Sequence, residues 1–213
     1  MKSAPDAYIS CNIHPAAQKI TGYKDSREAI MKEQQHQKRL FLISGILFTA
    51  LTGSALHFLY DWSGQALLAA LIAPVNESVW EHLKLLFFPI LLFSAAEALI
   101  RRPNPPFLPA RTLGLLSGLA LIPVLFYTCT GVTGTHALWC DLLIFLAADL
   151  TAFFVSSLLE KRLSPRHAFS IISVCTLALV TLLFFRFTFF PPAIPLFQDP
   201  LTGGFGIPPV SPG

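Results

Sequence analysis

Only 13% of the 213 residues are charged, about half the roughly 25% of a soluble domain, while 54% are hydrophobic and mean hydropathy is +0.61. Apolar residues fall in long blocks, which marks an all-α integral membrane protein whose first partner is the lipid bilayer. The formal charge of +3, with no compact basic face on a nucleic-acid motif, argues against nucleic-acid binding.

Residues 1–39 form a polar tail without the apolar core of a cleavable signal peptide. Its end, "YKDSREAIMKEQQHQKR", is rich in helix formers, so a surface helix and a solvated tail are both expected readings. A membrane domain follows over 40–190, with five spans predicted at 40–60, 78–100, 111–131, 137–159 and 168–190. Between the first two lies "GQALLAALIAP", too short to cross, which reads as a re-entrant or interfacial piece closed by Pro74. Pro89 and Pro123 sit inside spans, where neighbouring helices can compensate the lost hydrogen bonds. The tail over 191–213 carries too many Pro and Gly for regular structure, and is expected to lie over the outer face.

Orientation follows from Lys and Arg near the span ends. Arg101, Arg102 and Arg111 follow span two, and Lys161, Arg162 and Arg166 follow span four, as Lys38 and Arg39 precede span one. The opposite side holds almost none, so the N-terminus is expected in the cytoplasm and the C-terminus outside. Cys11, Cys129, Cys140 and Cys175 show no C-x-x-C spacing. Cys129 and Cys140 flank one short loop and can be bridged if it faces an oxidising side, two unbridged thiols being the simpler reading.

Span two carries the polar site. Its uncharged stretch, Leu85 to Ala96, is 12 residues long, about 18 Å against a hydrocarbon core of about 30 Å. Of the polar run Asn76 to Lys84, with Glu77 near its start, Glu81, His82 and Lys84 therefore fall at or just inside the hydrocarbon edge, and the first turns face protein or trapped water. Ser78 and Glu81 match a capping box, and both glutamates suit the positive end of the helix dipole. Capping explains neither His82 nor Lys84. His57 and Asp61 on span one, His136 and Asp141 on span four and Arg186 on span five lie at similar depth. Asp149 is deeper, near mid-bilayer, where a charge needs a partner or a wet cavity. Glu97 needs only Arg101 one turn on. Together these residues predict an outward-opening polar pocket.

The stretches "HFLYDWSG" (57–64) and "PVNESVWEHLKLLFFP" (74–89) resemble a family of small bacterial multi-pass membrane proteins that carries only a domain of unknown function. The resemblance covers 40–190. It implies a bacterial cytoplasmic-membrane protein, and no activity, substrate or cofactor.

Three functional classes fit the residues. The first in rank is a pocket for a small-molecule ligand or ion, or an accessory subunit whose ion pairs set helix packing. The second is a membrane metal hydrolase, with zinc on His57, His82 and His136 and a carboxylate from Asp61, Glu81 or Asp141. It is similar by analogy to membrane ceramidase-like hydrolases, which have seven spans and an H-x-x-x-H pair that this chain lacks. The third is a proton-coupled transporter using Asp149.

Overall fold

The structure, a computed structural model, describes residues 14–134, 138–164 and 166–208, with side chains from residue 27 on. Among these residues the helices are α1 (His14–Trp62), α2 (Leu67–Ile72), α3 (Val79–Arg101), α4 (Phe107–Thr133), α5 (Leu138–Arg162) and α6 (His167–Phe189). A single 3-10 turn, Pro195–Phe197, follows. Five of the helices are long and apolar enough to cross a membrane. Their bounds lie within four residues of the expected spans everywhere except at the start of α1.

The chain divides after Phe41. In the first unit the described side chains, residues 27–40, are exposed, and Gln37 donates to Glu33 one turn back at 3.2 Å. The helical reading of 23–39 is the one adopted, and α1 runs on without a break to Trp62.

In the second unit, residues 42–213, α3 is the most enclosed span: half of its most apolar window is buried, against 11% for α6. Leu86, Phe87 and Ile90 of α3 form the core with Leu115 of α4, Ala148 and Phe153 of α5 and Phe184 of α6. Helices α4 and α5 pack backbone to backbone. A Cβ at Gly118 would sit 2.7 Å from the Ala148 carbonyl oxygen, and one at Gly114 would meet Ser156 and the Ala152 carbonyl. Small residues one turn apart are how membrane helices approach when lipid supplies no hydrophobic drive between them. Gly53 does the same for α1, since a Cβ there would lie 2.7 Å from the Leu85 oxygen. That carbonyl has lost its helical donor to Pro89, four residues on.

Local chemistry sets the helix ends. Ser78 caps α3 by accepting from the Glu81 N–H, and Arg102 closes it in the left-handed region before Pro103. Gly134, at φ +68°, ends α4. Large apolar side chains point outward from every span, Leu51, Leu92, Val132, Leu143 and Leu182 among them. A water-soluble surface does not carry such a belt, whereas a lipid-facing one requires it.

The far end of α3 is covered by two short pieces. Ala69, Ala70 and Ala73 in and after α2 bury against Tyr60 and Val75. The tail folds back through the 3-10 turn, placing Phe197 4.8 Å from the Trp80 ring and 5.2 Å from Phe187. Asp199 then accepts from Leu201 N–H and Thr202 Oγ1, and the Asn76 amide donates to the Gly206 carbonyl at 2.8 Å. Trp80 is half-buried in this aromatic cluster.

Candidate functional site

Helix geometry splits the α3 polar residues into two groups. Positions two apart lie on nearly opposite faces, while those three or four apart share one. Glu81 and Lys84 therefore turn one way and His82 the other. Depth alone had placed Lys84 beside His82 in a pocket wall; the structure separates them.

Lys84 is fully buried. Its ammonium lies 2.6 Å from Glu81 Oε2 and 2.6 Å from Thr188 Oγ1, with the Ala70 and Ala73 carbonyls at 2.8 and 3.3 Å. Three N–H donors thus meet four oxygens. Glu81 also accepts from the Val75 N–H at 3.0 Å and from Thr188 at 3.0 Å. The reciprocal half of the capping box is absent, because Ser78 N–H donates to Asn76 Oδ1 and leaves Glu81 for Val75 and Lys84. Every charge in this knot is paired and hydrogen-bonded, which is what a buried ion pair requires. It ties α2, α3 and α6 together. Glu81, Lys84 and Asn76, expected as pocket residues, are engaged in these contacts and are not among the residues that line the cavity beside His82.

The other face is open. His82 Nε2 lies 3.3 Å from His57 Nε2 and 3.4 Å from Glu77 Oε2, and the His57–Glu77 separation is 3.8 Å. These three side chains form the metal-capable group among the described residues. His82 Nδ1 is 3.0 Å from the Ser78 carbonyl oxygen, which can only accept. That contact assigns the proton to Nδ1 and aims the Nε2 lone pair at Glu77 and His57. A lone pair facing a carboxylate oxygen is repulsive unless a cation, a proton or a metal ion, stands between them. Zinc–nitrogen bonds of about 2.0–2.1 Å in a tetrahedron put ligand atoms about 3.3–3.4 Å apart. Two of the observed edges, 3.3 and 3.4 Å, match, and the third, 3.8 Å, is longer.

The triad stands at one end of a cavity of about 220 Å³. Gly53 and Ser54 of α1, Leu85 of α3, Ile122 and Phe126 of α4, and Leu142 and Phe145 of α5 belong to its wall. Asp141 lies on that wall, as do Pro200 and Leu201 of the tail. Asp61 and Arg186 are exposed and line no part of the cavity; Arg186 donates to the Phe190 carbonyl and sits 4.3 Å over its ring. Asp149 is fully buried, outside the cavity, and neither carboxylate oxygen has a hydrogen-bond partner among the described residues. Gly45 packs on Phe153 and Gly53 on Phe145, so Thr49, midway on α1, is level with Asp149. His136 lies outside the described residues, as does Cys11. Cys129 and Cys140 stand 3.1 Å apart as free thiols.

Sequence reasoning had set Glu77 among pocket residues but sought the metal carboxylate at Asp61, Glu81 or Asp141. The extended backbone at Ser78, φ −68° and ψ 150°, returns Glu77 to the His82 side of α3. The Ser78 cap is the sequence signal for that turn. At the opposite end of the bundle, Glu97 takes more than the local pair expected: both Arg101 and, at 2.5 Å, Arg111 of α4 donate to it.

No curated protein and no solved structure matches the chain. A family profile matches residues 30–207, extending the likeness read at 40–190, and the chain belongs to this family of unknown function, DUF6512.

Proposed function

We propose that this protein binds a divalent transition metal ion, zinc foremost, through His57, Glu77 and His82, and uses it to hold a small ligand in the adjoining cavity. Two imidazoles and one carboxylate suit zinc and leave a fourth position for water or ligand. The observation that carries this reading is the triangle of ligand atoms at 3.3, 3.4 and 3.8 Å, with His82 fixed from behind by the Ser78 carbonyl. The metal lies on the outer side of a bacterial cytoplasmic membrane, given the Lys and Arg distribution. Elemental analysis of protein purified without chelator tests it. One zinc per chain is expected, with loss in His82→Ala and Glu77→Gln; metal-free protein that takes up no zinc on titration would overturn it.

A catalytic use of the same site is favoured by Asp141 on the cavity wall. A metal held by His57, Glu77 and His82 would supply acidification of a water molecule, and Asp141 would take a proton from that water and return it to the leaving oxygen of an acyl ester as the acyl–oxygen bond breaks. Hydrolysis of a chromogenic acyl ester by zinc-loaded protein, abolished in Asp141→Asn with zinc content unchanged, is the expected result. The transport reading draws less support, since Asp149 does not reach the cavity.

A further inference from the structure

Two exposed lips belong to the lining of the cavity. Leu85 of α3 with Ile122 and Phe126 of α4 line it too, as do Pro200 and Leu201 of the tail. The lips are α1, at Ser54, and α5, at Leu142, and both residues are exposed. Around them Leu51 and Phe58 on α1, and Leu138 and Leu143 on α5, are exposed as well. In membrane-spanning helices these faces meet acyl chains, so an opening between the lips would lead sideways into lipid rather than out to water.

Polarity is graded along the same axis. His57, Glu77 and His82 stand at the helix ends, while Gly53, Leu85 and Phe145 lie about one turn deeper, some 6 Å at 1.5 Å per residue. A polar solute in that deeper part would leave its hydrogen-bonding groups without partners. A membrane lipid has the matching polarity: head group at the interface, hydrocarbon towards the midplane. At about 220 Å³ the space is smaller than the roughly 300–1,000 Å³ of drug-sized pockets, which suits one chain rather than two.

Resting on the metal reading above, we infer that the ligand is a membrane-resident amphiphile with one hydrocarbon chain seated between α1 and α5, its carboxyl or acyl head on the metal, reaching the site laterally from the bilayer. A palmitic-acid analogue carrying a mid-chain diazirine, added to zinc-loaded protein in nanodiscs, illuminated and mapped by peptide mass spectrometry, tests this. Labelling is expected on the cavity-lining segments around Gly53–His57 and Leu142–Phe145, competed by excess palmitate. Ser54→Trp and Leu142→Trp, which plug the lips from exposed positions, should cut that labelling at least about tenfold while zinc content, the control for folding, stays unchanged. Labelling spread over all outward faces and indifferent to both variants would overturn the inference. The two readings fail separately. Cavity labelling in protein that binds no zinc keeps the lateral site and removes the metal, and bound zinc without cavity labelling does the reverse.

Discussion

Two residues apart on one helix, His82 and Lys84 have opposite fates. Lys84 is sealed with Glu81 and Thr188, whereas His82 opens onto the cavity. Lys84→Met strands the Glu81 carboxylate in a buried site and should cost about 3–5 kcal/mol, while Glu81→Gln with Lys84→Met should recover most of it. Unfolding in mixed micelles measures both, and equal stability of the single and double variants would show that the pair does not hold the fold. Ser78 separates capping from ligand orientation. Its hydroxyl caps α3, but its backbone carbonyl orients His82. Ser78→Ala should therefore cost about 0.5–2 kcal/mol of stability and leave zinc affinity unchanged in a competition titration. From sequence, hydrophobic boundaries gave the depth of these side chains. Their direction around the helix axis needed the phase of α3 against α1, α5 and α6, which depth does not supply.

Helix bounds were legible because apolar blocks end at recognisable stops: Arg102 before Pro103, Gly134, and Phe190 before Pro191. Which helices touch was not, since Gly114 and Gly118 look unremarkable in an apolar run until Ala148, Ala152 and Ser156 stand opposite. Gly118→Val forces side-chain atoms towards the Ala148 carbonyl and should destabilise the α4–α5 pair by about 1–3 kcal/mol. Gly131, with nothing within 4 Å of an added Cβ, is the matched control and should be near neutral. Glu97 joins α3 to α4 through Arg101 and Arg111, both largely buried. Sequence spacing found Arg101, one turn away, and missed Arg111, which only the fold brings near.

At the scale of the molecule, the α4–α5 hairpin and the tail build a cavity over α3 that no single segment encodes. The "NESVWEH" stretch announced polar residues near a lipid boundary. That Pro200 and Leu201 of the tail reach the cavity was not legible, because irregular backbone has no periodicity from which to read its path. Charge asymmetry predicts an outer C-terminus. Alkaline phosphatase fused after residue 208 should be active and a green fluorescent protein there dark; the opposite pattern would turn the metal site to the cytoplasm. The central claim concerns what stands between His57, Glu77 and His82. Zinc-edge X-ray absorption on zinc-loaded protein reads it most directly. Two imidazoles with oxygen ligands, all at about 2.0–2.2 Å and without sulfur, are expected. A sulfur shell at about 2.3 Å, from the Cys129–Cys140 thiols, or an oxygen-only shell without imidazole, would contradict it.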